Sequence, residues 1–182
     1  MQRYASILRG INVSGQKKIK MADLSALYES LGFINVGTYI QSGNVVFEAA
    51  GANVDKIMLG IEQVIKKRYG FKVPVLLRTQ KEIHATLKAN PFLKEHNVDT
   101  SKLHVTFLQR APGASTIKNF KPDSLGQDRY FIRGSEVYLY CPGGYGKTRL
   151  SNTFLEKNLG VSATTRNWKT VNMLHELLEK ND

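Results

Sequence analysis

The period of the apolar residues switches between two and about 3.6 along this chain, and each switch is marked by a cap, a glycine or a proline, which leaves few folds open. Tyr4 to Leu8 is a β-rich run, followed by a polar, glycine-containing loop from Arg9 to Lys20. Met21, Leu24, Leu27, Tyr28 and Leu31 then recur at helical spacing, and Gly32 with Phe33 behind it supplies a left-handed stop. Val36 to Gln41 and Asn44 to Glu48 are β-rich runs, and Ser42-Gly43 between them reads as a tight hairpin. In the next helix Asn53 is the cap, Asp55 sits in the first turn, Ile57, Ile61, Val64 and Ile65 form the apolar stripe, and Lys66-Lys67-Arg68 precede the stop at Gly70. Val73 to Arg78 follows as a strand, with Pro74 assigning it to a sheet edge.

This order is βαββαβ, the ferredoxin-like unit. Thr79-Gln80-Lys81-Glu82 is a capping box that opens a connecting helix, closed at Asn90-Pro91. The order then recurs. Leu103 to Leu108 is a strand, Ala114 to Phe120 a short helix, and Arg129 to Arg133 with Glu136 to Cys141 a hairpin around Gly134-Ser135. A helix from Ser151 to Leu159 stops at Gly160, a strand runs from Ser162 to Thr165, and a closing helix capped by Asn167 runs from Trp168 to Glu179. Tyr39 to Asn44 aligns with Tyr130 to Ser135 at an offset of 91 residues. The expected fold is α+β, a tandem repeat of two ferredoxin-like halves with antiparallel sheets: 1–79, a connecting helix and linker over 80–101, and 102–182 with the C-terminal helix.

Three separated strings carry a resemblance: Leu8-Arg9-Gly10-Ile11-Asn12-Val13, Tyr39 to Phe47, and Thr164-Thr165-Arg166-Asn167-Trp168. Together they resemble the uncharacterised bacterial family known as domain of unknown function 1697, over nearly the whole chain. The resemblance implies a tandem ferredoxin-like architecture and no established activity. The chain departs from that family's pattern at Gly143, where the pattern has Asn, and at Thr148, where it has Ser.

Charge and cysteine content bound the function. The formal net charge is +11. Residues 1–91 hold 13 Lys and Arg against 6 Asp and Glu, and residues 92–182 hold 13 against 9, so the excess belongs to both halves. Such a surface suits an anionic partner, a phosphate-containing small molecule or nucleic acid, and equally serves plain solubility. Cys141 is the single cysteine, so no intramolecular disulfide and no thiolate cluster can form. No run reaches the roughly 18 apolar residues of a membrane span, and Met1-Gln2-Arg3-Tyr4 lacks a signal-peptide core. The expectation is a cytoplasmic protein without a membrane partner.

Two basic loops are the candidate anion sites. Arg9, Asn12, Lys17 and Lys18 belong to the first, with Lys20 at its end. Lys147, Thr148 and Arg149 belong to the second, the glycine-rich stretch from Pro142 onward. The second evokes a phosphate-binding P-loop, yet the glycine required five positions before Gly146 is Cys141. What survives is a strand-to-helix loop beside a helix N-terminus capped by Ser151. In a βαββαβ unit the loops after the first and third strands are expected at one sheet end, with both helix N-termini. The Ser42-Gly43 turn is then expected at the other end, which separates Arg9 from Gln41.

His84, His96, His104 and His175 show no paired metal-ligand spacing, so neither a metal nor a cofactor is expected. Cys141, at the end of a strand, is expected to be a buried, unreactive thiol. Neither hairpin carries the aromatic string of an RNA-recognition motif. The reading is a module that binds an anionic ligand through basic loops at helix N-termini. The alternative is an enzyme acting on a small phosphorylated substrate, and the sequence assigns no catalytic residue to it.

Overall fold

The computed structural model describes residues 1–51 and 53–180. Among these residues the chain forms eight strands and six α-helices: β1 (Gln2–Leu8), α1 (Met21–Glu29), β2 (Ile34–Tyr39), β3 (Asn44–Ala49), α2 (Val54–Tyr69), β4 (Val75–Thr79), α3 (Gln80–Lys88), β5 (Leu103–Leu108), α4 (Ala114–Asn119), β6 (Arg129–Arg133), β7 (Glu136–Tyr140), α5 (Asn152–Leu159), β8 (Ala163–Asn167) and α6 (Trp168–Glu179). The strands make two four-stranded antiparallel sheets, in the orders β2-β3-β1-β4 and β6-β7-β5-β8. By contact the chain divides into two compact units, Met1–Ala85 with the segment from Met173 onward, and Thr86–Asn172. The end of α6, which the sequence assigns to the second half, therefore belongs to the first unit.

The first unit follows from its local signals. Alternation along β1 puts Tyr4, Ser6 and Leu8 on one sheet face, opposite Phe47, Val45 and Leu77 of the neighbouring strands. Leu24 and Tyr28 of α1 and Ile61 and Ile65 of α2 close over that face to make the core. Each fully buried Ile or Leu is worth about 1.5–3 kcal/mol relative to exposure. The Asn53 side chain accepts the Lys56 N–H at 2.9 Å, Gly70 ends α2 in the left-handed conformation, and Lys66, Lys67 and Arg68 face the negative end of the helix dipole. The capping box forms as expected, with Thr79 and Glu82 exchanging hydrogen bonds before α3. β4 is an edge strand, and Pro74 lies just outside it.

In the second unit Leu108, Val137, Leu139 and Ala163 of the sheet pack against Leu155 and Leu159 of α5, with Phe120 behind α4. The 91-residue offset does not describe how the two sheets correspond. Ile7 stands opposite Asn44 and Phe107 opposite Glu136, so β1 and β5 are 100 residues apart and β3 and β7 are 92. Tyr39 pairs with Asn44 and Arg133 with Glu136, which puts β2 and β6 at 94. The first hairpin has a four-residue loop, Ile40 to Gly43, whereas the second turns on Gly134-Ser135 alone. The aligned strings share composition and occupy different places in their turns.

Gly43 is the position in the first hairpin that must be glycine. Its φ is +77°, and a Cβ there would lie 2.7 Å from Ile11 Cδ1 and 2.8 Å from Leu8 Cβ. Gly15, at φ +75°, has open space around it. Gly43→Ala is expected to cost about 2 kcal/mol or more, from backbone strain together with the clash, and Gly15→Ala about 1 kcal/mol from strain alone. Urea unfolding of the two variants beside the parent measures this, and equal losses would show that the contact with Leu8 and Ile11 is immaterial.

Candidate functional site

The first basic loop is an ordered knot. Ile11 and Ile19 anchor it in the core, while Gly10, Asn12, Ser14, Gly15 and Lys17 all adopt positive φ. The Asn12 carboxamide holds it closed: Nδ2 donates to Ile19 O at 2.9 Å and to Gln41 O at 2.8 Å, and Oδ1 accepts the Ile19 N–H at 2.9 Å. Lys17 Nζ donates to Lys72 O at 2.8 Å. Asn12 and Lys17 thus hold the loop against its neighbours. Lys18 and Lys20 are exposed.

This geometry corrects the expected arrangement of loops. β1 runs antiparallel to β3, so the end of β1 meets the start of β3: Leu8 donates to Gly43 O at 2.8 Å, and Arg9 donates to Pro74 O at 2.9 Å. The first basic loop and the hairpin therefore share one end of the sheet, and Arg9 and Gln41 belong to the same end. The N-terminus of α2 lies at the other end, after β3. What joins the loop instead is the C-terminus of α2 and the turn before β4.

That end of the first unit carries Arg9, Lys17, Lys18 and Lys20 from the loop, Lys66, Lys67 and Arg68 from the last turn of α2, and Lys72. These are eight of the twelve Lys and Arg among residues 1–85. Asp23, in the first turn of α1, and Glu62, whose carboxylate accepts the Val75 N–H at 3.0 Å, are the acids beside them. The other four acids of residues 1–85, Glu29, Glu48, Asp55 and Glu82, belong elsewhere. Counting charge by halves conceals this polarity, because it appears only when strand direction brings loops far apart in sequence to one end.

The glycine-rich loop of the second unit is built differently. Cys141, Gly144 and Tyr145 carbonyls accept the Gly144, Lys147 and Thr148 N–H groups, and the Thr148 hydroxyl accepts the Leu150 N–H, so these amides are consumed within the loop. Ser151 caps α5 by accepting from Phe154. Tyr145 reaches inward, stacks on His104 with ring centroids 5.0 Å apart, and donates its hydroxyl to Thr165 Oγ1 at 3.0 Å. Lys147 and Arg149 remain exposed. Arg149 donates to Asp123 O at 3.2 Å and borders a cavity of about 270 Å³ shared with Lys121, Asn119, Phe154 and Asn158.

Burial displaces several titratable groups of the second unit, Cys141, Arg166 and His104 among them. Burial pushes the Cys141 thiol up to about 11, against a hydrogen bond from Thr148. Burial brings the Arg166 guanidinium down to about 10; it donates to Thr164 Oγ1 and Thr165 O. Burial also lowers His104 below the usual imidazole value, opposed by its hydrogen bond to Lys102 O.

The sequence reading missed one cluster in the first unit. His84 of α3, with His175 and Glu179 one turn apart on α6, each place a donor atom within 4.8 Å of the other two. The His175-x-x-x-Glu179 spacing is visible in the sequence, whereas its third member is brought in only by folding.

The sequence pattern of the family described as Protein of unknown function (DUF1697) matches residues 1–138. No curated protein matches the chain. Among solved structures, the conserved bacterial protein SP0830 from Streptococcus pneumoniae is similar, with a TM-score of 0.73 at 22% identity over 98% of this chain and 99% of that one. That likeness concerns the fold. Among the described residues no helix is long and apolar enough to cross a membrane.

Two outcomes are expected. Cys141 should react with a thiol reagent far more slowly in the native protein than in urea, because its thiolate is scarce at neutral pH and its sulfur is buried; rapid native labelling would contradict this. His104 is lowered in the folded state from the 6.5 of an ordinary imidazole, so its share of stability is full above about pH 6.5 and is lost as pH falls through the folded value. His104→Gln should flatten the decline of the thermal midpoint below pH 6.5, and an unchanged decline would assign it to other groups.

Proposed function

We propose, for a chain that belongs to the protein family of unknown function DUF1697, that the first unit binds the phosphate backbone of nucleic acid through its basic end. The same reading takes the two sheet units as tandem copies of one ferredoxin-like βαββαβ fold, in keeping with the strand orders β2-β3-β1-β4 and β6-β7-β5-β8. The observation that carries the function is the gathering of eight cations at the hairpin end of one small unit, six of them on exposed side chains at Lys18, Lys20, Lys66, Lys67, Arg68 and Lys72. Exposed lysines on neighbouring loops suit a polyanion that tracks across them, since each phosphate contact releases a counterion. Helix dipoles have a minor part, because α1 presents its N-terminus there and α2 its C-terminus.

A second reading rests on the second unit. The 270 Å³ cavity bordered by Lys121 and Arg149 has the concave form of a small-molecule site. It favours a small phosphorylated ligand held between Lys121 and Arg149, with Lys147 and Thr148 on the loop that leads to Arg149.

Fluorescence anisotropy with a short single-stranded DNA, at salt from 50 to 200 mM, separates the two. With four phosphate contacts on the first unit, affinity should fall about 50-fold over that range, and each of Lys18→Ala, Lys67→Ala and Lys72→Ala should reduce the slope of log K against log salt by about 0.7. Lys147→Ala and Arg149→Ala should leave it unchanged. Salt-independent binding, or parental slopes in all three first-unit variants, would refute the proposal. Loss confined to the Arg149 variant would favour the second reading.

A further inference from the structure

We infer that His84, His175 and Glu179 form a binding site for a divalent transition metal of the zinc class. The three belong to the first unit, and one donor atom from each lies within 4.8 Å of the others. α6 contributes two, because residues four apart on a helix share a face. α3 contributes the third, and the two imidazole rings lie 5.1 Å apart at 51°.

A bland account of this cluster would be a helix-packing contact held by a histidine–carboxylate pair. The geometry does not satisfy it. His175 Nδ1 is 3.7 Å from Glu179 Oε1, too long for a hydrogen bond, and this buried nitrogen has no hydrogen-bond partner. A buried ring nitrogen with nothing to bond is an unmet cost that a cation would remove. Glu179 Oε1 is meanwhile held by Gln80 Nε2 at 2.9 Å, the kind of outer partner that fixes a ligating carboxylate. The site therefore has two borderline imidazole donors, one hard carboxylate, and a positioned support for the carboxylate.

The donor set selects the ion. Two imidazoles and one carboxylate suit Zn²⁺, Co²⁺ or Ni²⁺ and are too nitrogen-rich for Mg²⁺ or Ca²⁺. A tetrahedral ion at 2.0–2.1 Å from each donor sets donor–donor separations of roughly 3.3 Å, so the side chains must close by roughly 1.5 Å at most, within reach of χ rotations. Three protein ligands leave a fourth position open to water or another oxygen ligand.

Isothermal titration of the metal-stripped full chain with Zn²⁺ is the test. The expected result is saturable binding of one equivalent, with His84→Ala, His175→Ala and Glu179→Gln each weakening it more than about a hundredfold, and Gln80→Ala roughly tenfold as an outer partner. His96→Ala and His104→Ala should bind as the parent does. Glu179→Gln is nearly isosteric at an exposed position, so its loss of zinc cannot be ascribed to unfolding when its metal-free melting temperature matches the parent's. Absence of one-equivalent binding, parental affinity in the three ligand variants, or loss in His96→Ala or His104→Ala would overturn the assignment.

Discussion

Two backbone hydrogen bonds at the end of β1 govern the first unit: Leu8 donates to Gly43 O, and Arg9 donates to Pro74 O. They are the last rungs of antiparallel ladders on either side of the central strand, and they decide which loops can meet. Because β3 starts where β1 ends, the hairpin closes over the first basic loop, and the carboxamide of Asn12 then finds Gln41 within reach. Because β4 also starts there, the C-terminus of α2 must return to the same end, carrying Lys66, Lys67 and Arg68 with it. The basic surface is a consequence of strand direction acting on charges that are dispersed in sequence.

Local signals were legible where the physics is local. The Asn53 cap, the Gly70 stop, the Thr79–Glu82 box and the Asn167 cap each involve groups within a few residues of one another, and each forms as read. Strand boundaries were less legible: β2 begins at Ile34, two residues before the apolar run suggests, because Asn35 at φ +52° takes up an irregularity in the pairing before Gly37. The arrangement of the loops was misread because periodicity reports which residues share a face and is silent on which way a strand points. Only pairing fixes direction, and pairing is non-local. The misplaced 91-residue correspondence has the same origin, since a short string can match in composition while a two-residue difference in loop length shifts its register.

The same distinction separates the candidate sites. Lys17 and Asn12 were singled out for charge and for turn chemistry, and both are occupied in holding the loop. Lys18 stands free of that task on an exposed surface. His84 and His175 gave no signal, because a motif search looks for ligands a few positions apart and these are joined only when α3 and α6 meet in the first unit. Two of its three members, His175 and Glu179, stand in plain view as a helical i, i+4 pair. Such pairs are common on helices, so the pair by itself carried no metal reading.

The glycine-rich loop of the second unit has an architectural explanation that the first unit supplies by contrast. Ser6 and Thr106 occupy corresponding places, on β1 opposite Val45 and Leu77 and on β5 opposite Val137 and Thr165. Each is a buried hydroxyl on the helix-covered face, so each needs a partner. In the first unit α1 is nine residues long and delivers Tyr28, whose hydroxyl meets Ser6 Oγ at 2.6 Å. In the second, α4 is six residues long and buries none of them. The partner comes instead from β8 and from the loop: Thr165 bonds Thr106 at 2.6 Å, donates to Asn152 Oδ1 at 2.7 Å, and accepts from Tyr145. A tyrosine inserted from a loop must be preceded by backbone that can turn sharply inward, and Gly144, at φ +93°, provides it. The glycines that evoke a phosphate cradle thus serve to seat Tyr145 against His104, and the exposed Lys147 and Arg149 follow as the solvent side of the same turn.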